Sequence, residues 1–137
     1  MREMEHQATT PATVILDTNF LLIPATFGVD IFSEIQRIYP LKHQFAVVGP
    51  TLAELEIIKG RPGKQASAAK LALSLIKAKN INTLPTAVKH TDDAIVAVAQ
   101  KQGNCVVATQ DLALRSRLKK AGISVIVLRQ KKYLMML

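Results

Sequence analysis

The chain has 137 residues and a net charge of +8, and 49% of its residues are hydrophobic while only 4% are aromatic. This length suits one domain with one core of Ile, Val, Leu and Ala, and no apolar run approaches the roughly 18 residues of a membrane span. The single cysteine excludes an internal disulfide and a Cys-rich zinc site, and a pI of about 9.9 favours an anionic partner such as nucleic acid.

The first half of the chain predicts two strands, each followed by a helix. A β-branched run over 13–16 predicts a buried strand that ends in a polar loop at 17–19. A helix is expected over 30–39, closed by a proline, and a second strand over 45–48. A Gly-Pro pair ends that strand, and the next helix is predicted over 51–59.

The second half continues the alternation. Its predicted elements are, in order, a helix over 64–79, a weak strand over 81–84, a helix from 91 to the stop at Gly103, a strand over 105–108, a basic helix over 112–121 and a strand over 125–128. Strands and helices at this spacing predict βαβ units. We therefore expect a three-layer α/β/α sandwich with a central, mostly parallel sheet.

The domain organisation follows from the same pattern. Residues 1–12 carry charges and no apolar signal core, so we expect a flexible segment there and a cytoplasmic protein. The single domain is expected over 13–130. Residues 131–137 are expected to form a tail.

Acidic residues are the feature that needs explanation. Fifteen of the 18 Lys and Arg lie from Ile57 onward, against only three acids, Asp92, Asp93 and Asp111. These three, with Asp17 and Glu54 upstream, fall where strands give way to helices, and ligands of such sheets gather at the carboxyl ends of the strands. Close carboxylates repel by on the order of 4 kcal/mol per pair, so they favour a cation. Oxygen ligands without nearby His or Cys favour Mg²⁺ or Mn²⁺, which catalyse phosphodiester hydrolysis.

Four short motifs carry a resemblance to a known family. They are VILDTN at 14–19, PTLAEL at 50–55, DDAI at 92–95 and VATQDL at 107–112. In this order and spacing they resemble the motifs of the PIN-domain ribonucleases, over about residues 13–128. The resemblance implies the α/β/α fold, Mg²⁺ or Mn²⁺ dependence, cleavage of single-stranded RNA and a homodimer.

The family's functional positions transfer residue by residue. The resemblance implies metal ligands at Asp17, Glu54, Asp93 and Asp111, with Asp92 as a cap or an extra ligand and with Thr18, Asn19 and Thr109 as supporting partners. The last third is more similar to the archaeal and ribosome-biogenesis branch than to a toxin of a toxin–antitoxin pair. The resemblance implies a ribosome-assembly protein or an antitoxin as a partner, and RNA processing or toxin-like cleavage as the role.

Structural explanations stand beside the functional ones. Asp92 and Asp93 suit a helix N-terminus, and Thr51-x-x-Glu54 matches a capping box. With its acids as caps, the protein would be a non-catalytic RNA-binding scaffold of a larger assembly. The coincidence of these five acids at strand-to-helix switches favours the nuclease.

Two basic segments leave alternatives open. The first, with Arg115, Arg117, Lys119 and Lys120, is an RNA-facing stripe or the solvated face of a helix. The second, Lys131 to Tyr133, grips phosphate and stacks on a base, or is a solvated tail. No GxxxxGK[ST] or GxGxxG motif is present, so we expect no nucleotide cofactor. The three histidines have no ligand spacing.

Overall fold

A computed structural model describes residues 11–137. The strands are β1 (Ala12–Leu16), β2 (His43–Val48), β3 (Asn82–Leu84), β4 (Cys105–Ala108), β5 (Ser124–Arg129) and β6 (Tyr133–Met136). The helices are α1 (Thr18–Leu21), α2 (Ile23–Phe27), α3 (Ile31–Ile38), α4 (Gly49–Lys59), α5 (Lys64–Ala78), α6 (Thr91–Gln102) and α7 (Leu112–Lys120). Most of the expected flexible segment at 1–12 lies outside the described residues, but Ala12 belongs to β1 and is buried.

One six-stranded sheet lies at the centre, in the order β3-β2-β1-β4-β5-β6. All neighbours are parallel except β5 and β6. Alternate residues of the strands face opposite sides, so each face has its own core. Val14 and Leu16 pack with α1 to α5, whereas Ile15 packs with α6 and α7. The predicted three-layer α/β/α sandwich is confirmed.

The strand order places four connections at one edge of the sheet. The chain proceeds from β1 outward to β2 and β3, then returns to the other side of β1 to form β4. Because these strands are parallel, the segments that follow β1, β2, β3 and β4 all leave from their carboxyl ends. The direction of winding reverses between β1 and β4, and such a point opens a crevice for ligands.

The C-terminal tail expected over 131–137 is wrong for residues 133–136, which form β6 along β5. Leu134 is fully buried, and the α3 residues Glu34 and Arg37 bond its backbone N–H and C=O, both at 3.0 Å. The connecting turn has Gln130 and Lys131 at φ 52° and 57°, a conformation usually supplied by Asn-Gly. The usual hairpin motif is therefore absent from the sequence.

The loop expected after β1 is largely helical. Asp17 caps α1, and α2 follows at once with a proline in its first turn. Phe20, Leu21 and Ile23 from this segment are buried in the core, which is why it folds against the sheet. No helix within residues 11–137 is long and apolar enough to cross a membrane.

Candidate active site

Asp17 lies at the centre of the sheet's carboxyl edge, directly after β1. Its side chain is only 4% exposed, and both of its oxygens are engaged. Oδ1 accepts a hydrogen bond from the Thr18 N–H at 2.8 Å, and Oδ2 accepts one from the Thr109 hydroxyl at 2.6 Å. These bonds hold the carboxylate in one orientation while its strand and the neighbouring helix exclude most solvent.

Thr109 links Asp17 to the acid of the neighbouring loop. The Thr109 hydroxyl, which is fully buried, also accepts a hydrogen bond from the Asp111 N–H at 3.1 Å. Asp111 caps α7 through Oδ1, which accepts from the Leu114 N–H at 3.0 Å. This cap occupies one carboxylate oxygen of Asp111 and leaves the other without a hydrogen bond from the described residues.

Glu54 is held by threonines from two other elements. Its Oε1 accepts hydrogen bonds from the hydroxyl of Thr18, at 3.4 Å, and from the hydroxyl of Thr91. The capping-box interpretation of Thr51-x-x-Glu54 is wrong. Pro50 suits a first helical turn because it has no N–H to leave unpaired, so α4 begins at Gly49 and Thr51 lies inside the helix.

The pair Asp92-Asp93 is divided between two environments. Successive residues of a helix point about 100° apart, so only one of them can face the sheet edge. The structure turns Asp92 toward the other acids and leaves Asp93 exposed, where it contacts Arg117 Nη1 at 2.9 Å and His90 Nδ1 at 3.8 Å. Asp93, which the family resemblance assigned as a metal ligand, is thus not brought into the cluster, and Asp92 is.

Charge interactions between their carboxylates place Asp17, Glu54, Asp92 and Asp111 in one region of the sheet edge, which we call the acidic cluster. Burial raises the pKa of Asp17 from its ordinary value of 3.8 to about 6, although hydrogen bonds to its carboxylate oppose the rise. The Asp92 and Glu54 charges add to it. Burial likewise raises the pKa of Asp92, and the Asp111 and Glu54 carboxylates raise it further, against the opposing charges of His90 and Arg117.

The donor chemistry of the acidic cluster fits a hard divalent cation. None of its carboxylates forms an ion pair within the described residues. Glu54 Oε2, Asp111 Oδ2 and both Asp92 oxygens accept no hydrogen bond from residues 11–137. Within the described residues, no three Asp, Glu, His or Cys side chains are arranged so that they could hold one metal ion. Binding of one ion by these carboxylates would therefore require their side chains to move closer together.

The structure also places residues that sequence reasoning missed or left open. Thr91, which donates a hydrogen bond to Glu54, could have been inferred only from its position beside Asp92.

Asn19 is exposed, and its Oδ1 accepts a hydrogen bond from the Gln110 N–H at 3.4 Å. This bond links α1 to the loop after β4, and Asn19 does not enter the cluster. Arg117 extends to Asp93 and belongs to the rim of the site. Leu112, in the first turn of α7, is 73% exposed.

Comparison with known proteins places this geometry in context. Residues 14–131 match the family described as PIN like domain. Ribonuclease VapC4 of Methanocaldococcus jannaschii is 33% identical over 121 residues, which cover 88% of this chain and 92% of the relative. The solved structure of the PIN domain endonuclease Utp24 superposes with a TM-score of 0.78 at 26% identity, over 92% of this chain and 91% of that chain.

Proposed function

This chain belongs to the PIN-like domain family, and from that premise we propose that it is a Mg²⁺- or Mn²⁺-dependent endoribonuclease that hydrolyses single-stranded RNA. Its similarity to a ribonuclease and to an endonuclease supports the reaction class. One observation carries the proposal. Four carboxylates lie in one region of the sheet edge where the strand order reverses, and none of them forms an ion pair among the described residues.

The proposed ligands of the metal are Asp17, Glu54, Asp92 and Asp111. A bound divalent cation would supply Lewis-acid activation of the attacking water and neutralise charge on the phosphate. The protein itself orients the ligands: Thr109 fixes Asp17 relative to Asp111, and the Thr18 and Thr91 hydroxyls fix Glu54.

The rest of the chain supplies attraction for the substrate. Its net charge of +8 draws in the phosphate backbone even though the acidic cluster itself repels it. Arg117 on α7, whose Nη1 lies 2.9 Å from Asp93, opposes part of that repulsion at Asp92.

The proposal is tested by cleavage of a labelled single-stranded RNA. Purified protein is expected to cut it with Mn²⁺ or Mg²⁺, to stop in EDTA, and to lose at least about a hundredfold in rate in Asp17→Asn. Asp30→Asn is the matched control, because Asp30 is an exposed helix cap outside the site. Cleavage that continues in EDTA would contradict metal dependence.

The rival function, a non-catalytic RNA-binding scaffold, differs in metal binding. Calorimetric titration with Mn²⁺ is expected to give binding that Asp17→Asn abolishes, whereas a scaffold gives no carboxylate-dependent heat. The homodimer, the antitoxin or ribosome-assembly partner, and the choice between RNA processing and toxin-like cleavage stay predictions. Growth arrest on expression would favour the toxin-like role.

A further inference from the structure

A groove opens directly beside the acidic cluster. One wall is the face of α4 that carries Ala53, Glu54 and Ile57, and the other is the segment 89–92 at the start of α6. Its volume is about 500 Å³, within the range of about 300 to 1,000 Å³ that small-molecule clefts have. Because Glu54 and Asp92 belong both to the groove and to the cluster, a group in the groove lies next to the proposed site of cleavage.

The two walls differ in chemistry. On α4, Ile57 is 63% exposed, so a large apolar side chain faces water without a partner in the described structure. On the opposite wall, Lys89 and His90 are exposed. His90 contacts Asp93, whereas Lys89 forms no ion pair within residues 11–137. The groove therefore offers an apolar surface and a free cation next to a cluster of carboxylates.

A nucleotide of single-stranded RNA matches this arrangement. Its phosphate complements Lys89, and the face of its base, which is apolar, can lie on Ile57. In a duplex that face is already covered by stacking, so only an unpaired base has it available.

We propose that this groove is a binding subsite for the unpaired nucleotide adjacent to the scissile phosphate, with Ile57 contacting the base and Lys89 the backbone. The proposal rests on the proposed function, because it takes RNA to be the substrate. It adds a physical reason for a preference for single strands, which the acidic cluster alone does not supply.

The test measures binding separately from cleavage. In an Asp17→Asn background, the affinity for a fluorescein-labelled single-stranded oligouridylate is measured by anisotropy across about 50 to 200 mM salt. Ile57→Ser is expected to weaken binding about fivefold. Lys89→Gln is expected to weaken it and to lower the slope of log affinity against log salt by about 0.7, the value for one phosphate contact with a single strand. Both side chains are exposed, so the variants should keep the wild-type circular dichroism spectrum.

Matched controls lie elsewhere on the surface. Leu71→Ser removes an apolar side chain that is 40% exposed on α5, and Lys101→Gln removes an exposed cation at the far end of α6. Both should bind the oligonucleotide as the parent does. Double-stranded RNA should bind without sensitivity to Ile57→Ser, because its bases are stacked.

The outcomes separate this proposal from the proposed function. If the groove variants bind like Leu71→Ser and Lys101→Gln, the subsite is refuted, even where wild-type protein cleaves RNA with Mn²⁺. If binding depends on Ile57 and Lys89 but wild-type protein does not cleave, the groove still binds an unpaired nucleotide and only the nuclease proposal, with the scissile phosphate it supplies, fails. An absence of binding to single-stranded RNA would overturn the subsite outright.

Discussion

Replacing Asp17 by asparagine is expected to make the metal-free protein more stable while removing cleavage. Asparagine has nearly the same shape, and its oxygen can still accept the hydrogen bond from the Thr18 N–H. What it removes is a negative charge that burial and the neighbouring Asp92 and Glu54 carboxylates disfavour. A carboxylate kept at the cost of stability is expected where a cation normally compensates it.

The size of the effect follows from the pKa. A rise of the Asp17 pKa from 3.8 to about 6 corresponds to about 3 kcal/mol at about 1.4 kcal/mol per tenfold change. The pKa of Asp17 is higher in the folded protein than in the unfolded protein, so ionisation of this side chain destabilises the fold. The stability of the protonated form is fully present below pH 3.8 and is lost as the pH rises through about 6. Asp17→Asn should therefore match wild type well below pH 3.8 and exceed it by up to about 3 kcal/mol at pH 7.5.

The assay is urea unfolding followed by circular dichroism, in EDTA, at several pH values between these limits. Asp30→Asn is the control of opposite sign, since hydrogen bonds from Ser33 lower the pKa of Asp30. That variant should be less stable than wild type by an amount that is fully present above pH 3.8 and is lost as the pH falls through the lowered Asp30 pKa, so its deficit is nearly constant across the assay range. Adding Mn²⁺ should stabilise wild type and leave Asp17→Asn unchanged. An Asp17→Asn protein that is no more stable than wild type at pH 7.5 in EDTA would refute the reasoning.

Three further outcomes are expected. Asp92→Asn should abolish carboxylate-dependent Mn²⁺ binding in calorimetry. Asp93→Asn should retain this binding, because it loses only an exposed ion pair with Arg117. The reverse result would make Asp93 the ligand in place of Asp92. Thr51→Val should leave the free energy of unfolding in urea unchanged or raise it by up to about 1 kcal/mol, because the buried Thr51 hydroxyl has no hydrogen-bond partner among the described residues. A clear loss of stability would contradict this expectation. Glu34→Ala should cost about 1 to 2 kcal/mol by the same assay because it leaves the Leu134 N–H unpaired, and wild-type stability would show that the edge strand does not need this bond.

Local sequence patterns were enough to predict most elements of the sheet and its two helix layers. The run at 13–16 could only be a buried strand, and the apolar spacing of 30–39 predicted the helix now seen as Ile31–Ile38. The interpretation failed where the chain uses uncommon residues for a common conformation. Gln130 and Lys131 adopt positive φ without the Asn or Gly that predicts such a turn, so β6 was taken for a tail.

The acidic cluster was likewise only partly predictable from local sequence. Sequence alone identified the acids that lie at strand-to-helix switches, because spacing along the chain determines which residues follow a strand. It could not decide between Asp92 and Asp93, because that choice depends on how α6 is rotated against the sheet. Nor could it find the threonine hydroxyls that join Asp17, Glu54 and Asp111, since these contacts link segments distant in the chain.

Composition and order of residues thus determined the fold class, the buried strands and the set of acids available for a site. Only the tertiary structure decided which carboxylates lie near one another, which is turned toward Arg117, and that the exposed Ile57 and Lys89 line one groove. The physical reason is that hydrophobic periodicity is a local property. The direction and electrostatic environment of a side chain, by contrast, are set by the packing of whole elements against the sheet.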